Sequence, residues 1–469
     1  MRASLSRPIL VLLAPVIAAL LLQQSAVPVS AATHPGSDPS SFTAVGSQVF
    51  FAATTAAHGR ELWVTDGTAT GTHEVADVNP TSGAGSDPDQ LTAMGDRVYF
   101  FANDGTGRAL WKTDGTAAGT KRLGGGAGQS LANVSGRLFF TTLLGECCTQ
   151  SKLWTSDGTV RGTRAIAAIG GSAEIWAGLG GFYYFFSRED EDTPWSLWKS
   201  DGTPTGTSVV AQIEPPNNID INYWPLEMVA SGSRLYFQMY EPRAAGRGEP
   251  EELADLWQSD GTAAGTRQVR DFDPESVPDR IPTDLTDLNG TLYFGAEDEI
   301  GVALWKSDGT DAGTRIVKRV APDVMTAVGS KLLFFAYDGT STALWRTRGT
   351  ARSTVEVYPI ALPPGCVDWY SQDTYCHLDE TPAAVGLRLF FPAYSKGNGT
   401  ELWVSDGSTA GTHQVKNIMY GGASSNPSDL TAVGSLLYFS ARDVYHGREL
   451  WVSDGTARGT HMVMDINPG

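Results

Sequence analysis

The chain has 469 residues, among them 53 Gly, 25 Pro, 13 Trp and 4 Cys, and 41% of it is apolar. This excludes an acidic disordered chain, and so much glycine without a collagen period indicates many tight turns. The 34 Lys and Arg against 52 Asp and Glu leave a net charge of −18, which argues against non-specific nucleic-acid binding and against docking on anionic lipid.

The first element in chain order is an export signal. Arg2 and Arg7 form a basic start, residues 9–22 are an apolar run, and Val29-Ser30-Ala31-Ala32 fits a small-residue cleavage site. The run is shorter than the ~20 residues a membrane-spanning helix needs. Residues 1–32 are read as a signal peptide cut near Ala31 or Ala32, and residues 33–40 as a linker. The mature product is expected to be secreted, extracellular and monomeric, with no membrane partner.

From residue 41 to residue 469 one unit recurs. Its mark is a Leu-Trp pair followed by a Thr/Ser-Asp-Gly-Thr turn. The tryptophans are Trp63, Trp111, Trp154, Trp198, Trp257, Trp305, Trp345, Trp403 and Trp451. The last copy reads as four short strands, at 430–433, 436–441, 449–453 and 460–465, each apolar or aromatic and punctuated by Gly or Asp. No stretch sustains a helical period. Forty to fifty residues per four-stranded unit is the period of a propeller blade. The expected fold is all-β, a β-propeller of about nine four-stranded blades. The first and last units each hold their own four strands. Ring closure is therefore expected to rest on side-chain packing between them.

Asp66, Asp114, Asp157, Asp201, Asp260, Asp308, Asp406 and Asp454 open the hairpin between the third and fourth strands. An Asp carboxylate that accepts the amide two residues on closes such a turn. Gly67, Gly71 and their equivalents are read as taking positive φ. Eight like aspartates on one rim read as structure, not as catalytic acids or metal ligands. The Trp and its neighbouring Leu are expected to face opposite blades.

These units resemble the ELWxxDGT repeat of secreted bacterial proteins. Glu61-Leu62-Trp63-Val64-Thr65-Asp66-Gly67-Thr68 matches throughout, and residues 401–408 and 449–456 match at nearly every position. The seventh unit departs, with Arg348 for the Asp and Ser353 for the second Gly. The resemblance implies a propeller-like fold and export, and no particular activity.

Loops between strands two and three, and connections between blades, fall on one face, the upper one. The Gly turns and Asp-Gly-Thr turns fall on the lower face. The long insertions, at 188–194, 214–225, 241–254 and 362–380, are all on the upper face. Four tryptophans stand outside the repeat: Trp176, Trp195, Trp224 and Trp369. Trp195, Tyr223, Trp224, Trp369 and Tyr370 are the candidate ligand-binding residues, since exposed aromatics stack on glycans or anchor protein partners. Trp224 is read as a loop residue outside the repeat core.

Cys366 and Cys376 bracket one insertion and are read as a disulfide of an exported protein. Cys147 and Cys148 are adjacent, with their redox state open. No HExxH, GxSxG, P-loop or zinc-type Cys spacing occurs. His58 and His446 share one repeat position and His73, His413 and His461 another, which makes them scaffold residues. No cofactor is expected; the run Glu189-Asp190-Glu191-Asp192 has oxygens that could bind Ca²⁺, and such a run is more often a solvated loop.

The reading is a secreted, non-catalytic scaffold for an extracellular glycan or protein ligand. The alternative is a carbohydrate-active hydrolase or lyase, marked by two converging carboxylates at the central funnel.

Overall fold

The computed structural model describes residues 36–81, 83–144, 150–171, 175–190, 193–214, 224–243, 251–270, 272, 282–362 and 381–468. Nine antiparallel four-stranded sheets span residues 40–76, 89–124, 128–170, 176–213, 224–270, 283–318, 321–359, 383–414 and 428–464. Each is built from consecutive strands in the order one-two-three-four, and there is no helix among the described residues. First strands touch first strands of neighbouring blades, and that of blade nine (Ser428–Val433) touches that of blade one (Ser40–Val45). The first strands are therefore innermost, and the fold is a nine-bladed β-propeller.

The core is nine separate apolar clusters, one between each pair of adjacent blades. Strand alternation explains how one motif feeds two of them. Adjacent residues point to opposite faces of a sheet, so Leu62 enters the cluster between blades one and two while Trp63 enters the one between nine and one. Leu304 and Trp305, and Leu450 and Trp451, divide in the same way. Each blade is thus fastened to both neighbours by one dipeptide.

The lower-face turns are made as their residues dictate. Asp66 accepts the Thr68 amide at 2.9 Å and its hydroxyl at 2.7 Å, and Thr68 Oγ1 accepts the Gly71 amide at 3.0 Å. The other seven aspartates repeat this turn. The first Gly has φ near +90°, as at Gly67 and Gly115. The second Gly corrects the sequence reading: Gly71 does not have positive φ. It is required because a Cβ there would run into the Asp66 carboxylate, and Gly119 stands in the same relation to Asp114.

Blade seven keeps the turn without the aspartate. Ser353 Oγ accepts the Arg348 and Thr350 amides at 3.2 Å, in the role of the missing carboxylate. Basic side chains then tie neighbouring blades together at these turns, as Lys112 Nζ does by donating to the Gly158 carbonyl at 2.7 Å and Lys306 Nζ to the Gly349 carbonyl at 2.7 Å.

Closure agrees with the expectation of packing and adds to it. Val49, Phe51 and Trp63 of blade one pack with Tyr438, Leu450 and Val463 of blade nine. No added strand from the N-terminal side pairs with blade nine among the described residues. The stretch read as a linker is nonetheless engaged, for the Ser37 and Asp38 amides both donate to the Arg448 carbonyl, at 3.0 and 3.2 Å.

Candidate functional site

The upper face divides into two sectors, and one residue position separates them. The residue before Leu-Trp is Glu in blades one, eight and nine, and Ala109, Lys152, Ser196, Asp255, Ala303 or Ala343 elsewhere. All three glutamates are fully buried. Glu61 accepts the Ser86 amide at 2.8 Å and the Ser86 hydroxyl at 2.6 Å, with the Val78 amide at 3.3 Å. Glu401 accepts the Ser425 hydroxyl at 2.6 Å and the Ile418 and Met419 amides at 3.0 and 3.1 Å. Glu449 accepts the Ser37 hydroxyl at 2.6 Å and the Ile466 amide at 3.2 Å.

A buried carboxylate is tolerated only when hydrogen-bonded; for Glu61 and Glu401 the donors belong to the blade connection, and for Glu449 to the stretch ahead of blade one and to Ile466 after blade nine. Glu61 and Glu401 therefore clamp a connection, and Glu449 clamps the seam. Sequence reasoning missed this role. The available signal was the pairing of each such Glu with a Ser-Asp-Pro or Ser-Asn-Pro tripeptide ahead of the next unit: Ser37-Asp38-Pro39, Ser86-Asp87-Pro88 and Ser425-Asn426-Pro427.

Blades two to seven carry no Glu at this position. The insertions 188–194, 214–225, 241–254 and 362–380 all fall there or in the connection that leaves blade seven.

The aromatic candidates are placed differently from the expectation. Trp195 begins the third strand of blade four (Trp195–Ser200), and Trp224 begins the first strand of blade five (Trp224–Ser231). Neither is a loop residue, and both are half-buried. Trp195 packs on the core between blades four and five, with the Arg188 guanidinium 4.9 Å over its ring. The Trp224 ring lies 4.9 Å from Tyr240. Trp176, 37% exposed, lies in the first strand of blade four against Tyr183. Tyr223, Trp369 and Tyr370 lie outside the described residues, as do all four cysteines, Glu191 and Asp192.

Between blades six and seven the upper face carries an open groove of about 440 Å³. The strand two-to-three turn of blade six supplies Ile300 and Val302, the connection supplies Arg319 and Val320, and the matching turn of blade seven supplies Tyr337 and Asp338. Ile300 is 77% exposed. Arg319 makes two hydrogen bonds to Asp298, at 2.9 and 2.7 Å, and they hold that carboxyl down at about 2. The guanidinium is thereby held in a lining whose other side chains are mostly apolar.

Nearer the axis stand Glu227, Asp284 and Asp323, on the innermost strands of blades five, six and seven. Burial pushes Asp284 up to about 7, with the charges of Asp323 and Glu227 adding to the rise. Burial also raises Glu227, against the pull of the Leu285 amide, which donates to it at 3.1 Å. Glu227 and Asp284 tie one blade to the next, through the Leu285 and Val324 amides. Gln90 makes the same kind of tie, accepting the Leu131 amide at 2.8 Å, and Asp429 accepts the Ser41 amide at 3.0 Å. An uncharged amide can fill this place, so the tie does not need an acid.

No protein-family model matches the chain, and no curated protein matches it in sequence. Solved structures do resemble it. Puromycin hydrolase is 13% identical over 72% of this chain, with a TM-score of 0.41. The β-propeller domain of the Trilobed protease from Pyrococcus furiosus is 9% identical over 92% of this chain and all of its own, with a TM-score of 0.39. A prolyl endopeptidase is 10% identical over 79% of this chain, with a TM-score of 0.41. The chain spans about half the length of the two whole peptidases, 53% and 54%.

Proposed function

We propose that this chain is an exported, non-catalytic recognition scaffold that binds an extracellular glycan or protein on the upper face of blades four to eight. The observation that carries the reading is the division of that face. Connections clamped by Glu61, Glu401 and Glu449 occupy one sector, and the long insertions occupy the other. Variable loops on a repeated, rigid frame are the usual layout of a binding surface. The groove between blades six and seven falls within the ~300–1,000 Å³ range of ligand sites and offers the Tyr337 ring, an apolar floor and the Arg319 guanidinium. The pattern of residues 1–32 supports export, and an oxidised Cys366–Cys376 pair would brace the insertion at 362–380.

The test is to probe arrays of extracellular polysaccharides and proteins with the mature chain. A variant whose residues 215–222 and 244–250 are replaced by short Gly-Ser turns is probed beside it. Loss of the signal at an unchanged melting temperature is the expected result. Equal binding by both would remove the insertions from the site.

One observation favours a second reading, a carbohydrate hydrolase or lyase: Glu227, Asp284 and Asp323 stand on adjacent innermost strands, near enough for the charges of Asp323 and Glu227 to act on Asp284. That reading requires polysaccharide turnover by the mature chain and its loss in Asp284→Asn.

A further inference from the structure

We propose that residues 36–39 act as a peptide ligand of the same molecule, a strap whose Ser37 seats on Glu449 and fastens blade nine to blade one. The two internal connections that carry the same kind of tripeptide show what the strap imitates. In the connection from blade eight to nine, the Ser425 and Asn426 amides donate to the Thr400 carbonyl at 3.1 and 3.3 Å, and the Ser425 carbonyl accepts the Arg442 amide at 2.9 Å. At the seam, the Ser37 and Asp38 amides donate to the Arg448 carbonyl, and the Ser37 carbonyl accepts the Thr54 amide at 2.8 Å. Between blades one and two, Asn79 Nδ2 donates to the Gly85 carbonyl at 3.1 Å; at the seam, Asn467 Nδ2 donates to the Gly36 carbonyl at 2.8 Å.

At all three places a serine hydroxyl donates to the buried glutamate at 2.6 Å and the next residue's amide donates to the carbonyl just before that glutamate, but the covalent situation differs. Ser86 and Ser425 are held by chain on both sides. Ser37 and Glu449 are 412 residues apart, and the seat is completed by Ile466 and Asn467 from the far end of the chain. A strap joined to its seat only through the whole ring can leave without breaking a blade. The fit is selective. Ser37 is fully buried, its hydroxyl reaches the carboxylate at 2.6 Å, and a Cβ on Gly36 would collide with the Arg448 backbone. The seat is thus a site for a Gly-Ser-Asp-Pro segment. The strap is synthesised 412 residues before its seat, so the seam can close only once blade nine has been made.

The experiment uses the full mature chain and a labelled peptide, Gly-Ser-Asp-Pro-Ser-Ser, equivalent to residues 36–41. In wild type the chain's own strap competes, which lowers the peptide's apparent affinity by the fraction of open seats. Ser37→Ala weakens that competitor. The peptide is expected to bind Ser37→Ala at least about ten-fold more tightly than wild type. The same peptide with Ala for Ser is expected not to bind, and Ser86→Ala is expected to bind no better than wild type. Hydrogen exchange at the Thr54 amide should speed up in Ser37→Ala. Equal peptide affinity for Ser37→Ala and wild type, or unchanged Thr54 exchange, overturns the proposal. If Ser37→Ala does not fold, wild type is titrated with the peptide instead. Displacement of the strap must then speed Thr54 exchange in proportion to occupancy, and exchange that stays constant overturns the proposal.

Discussion

At the scale of single residues, the turn between third and fourth strands shows how two positions constrain each other. Gly119 leaves room for the Asp114 carboxylate, and in blade seven Ser353 fills the room that Arg348 vacates. Gly119→Ser in the presence of Asp114 should lower stability by about 1–3 kcal/mol, as overpacking does. Adding Asp114→Arg should restore much of that loss, a coupling that a double-mutant cycle by denaturant unfolding measures. Additive losses would mean that the two positions are independent. The aspartates of these turns were legible in the sequence, because each stands two residues before the Thr or Ser whose amide it accepts. The reason for the second glycine was not, because the obstacle is a side chain folded back over it.

A second residue-scale prediction concerns pH. Burial pushes Glu449 up to about 7; the Ser37 hydroxyl and the Ile466 amide oppose the rise and Asp465 adds to it. His446, raised by its bond to Asp443, lies in the same charge cluster. An acid raised in the fold holds a proton that the unfolded chain has released. Its contribution is therefore complete below the ordinary value of 4.5 and is lost as pH rises through about 7. Asp284 titrates in the same window. Glu449→Gln should flatten part of the fall in melting temperature between about pH 5 and 7, and adding Asp284→Asn should flatten it further. A slope unchanged in both variants would contradict this. The turn aspartates act oppositely: Thr hydroxyls and amides hold them below the ordinary carboxylate value, so their contribution is lost as pH falls.

At the scale of elements, the Leu-Trp dipeptide places each third strand between two cores. Trp305 is 5% exposed, stacks on Phe294 and meets Phe272 edge-on at 5.3 Å. Trp305→Ala should cost about 3–5 kcal/mol in chemical denaturation. Trp176→Ala should cost much less, because that ring is 37% exposed. Similar losses for the two would contradict the assignment of the cores.

The number and order of strands were legible because the repeat fixes the phase of every unit. The spare aromatics were not. Trp195 and Trp224 border the insertions, and the sequence does not mark where an insertion ends and a strand begins. In the fold each opens a strand and packs on a neighbour, Trp195 on the blade four–five core and Trp224 on Tyr240. A stability loss in Trp224→Ala is therefore expected, and that substitution alone does not isolate binding.

At the scale of the whole molecule, nine near-equal units make a ring whose two upper-face sectors differ in how the chain crosses between blades. Three buried glutamates hold blades eight, nine, one and two to compact connections, one of them across the seam. The other sector has no glutamate at this position and carries the insertions. That division is the basis of the proposed function. The measurement that tests it most directly is a hydrogen-exchange footprint, over all nine blades, of the mature chain with and without the strongest ligand from the array. Protection is expected only at the strand two-to-three loops of blades four to eight and at the connections between blade four and blade eight. Protection centred on the Asp-Gly-Thr turns, or on the connections clamped by Glu61 and Glu401, would contradict it.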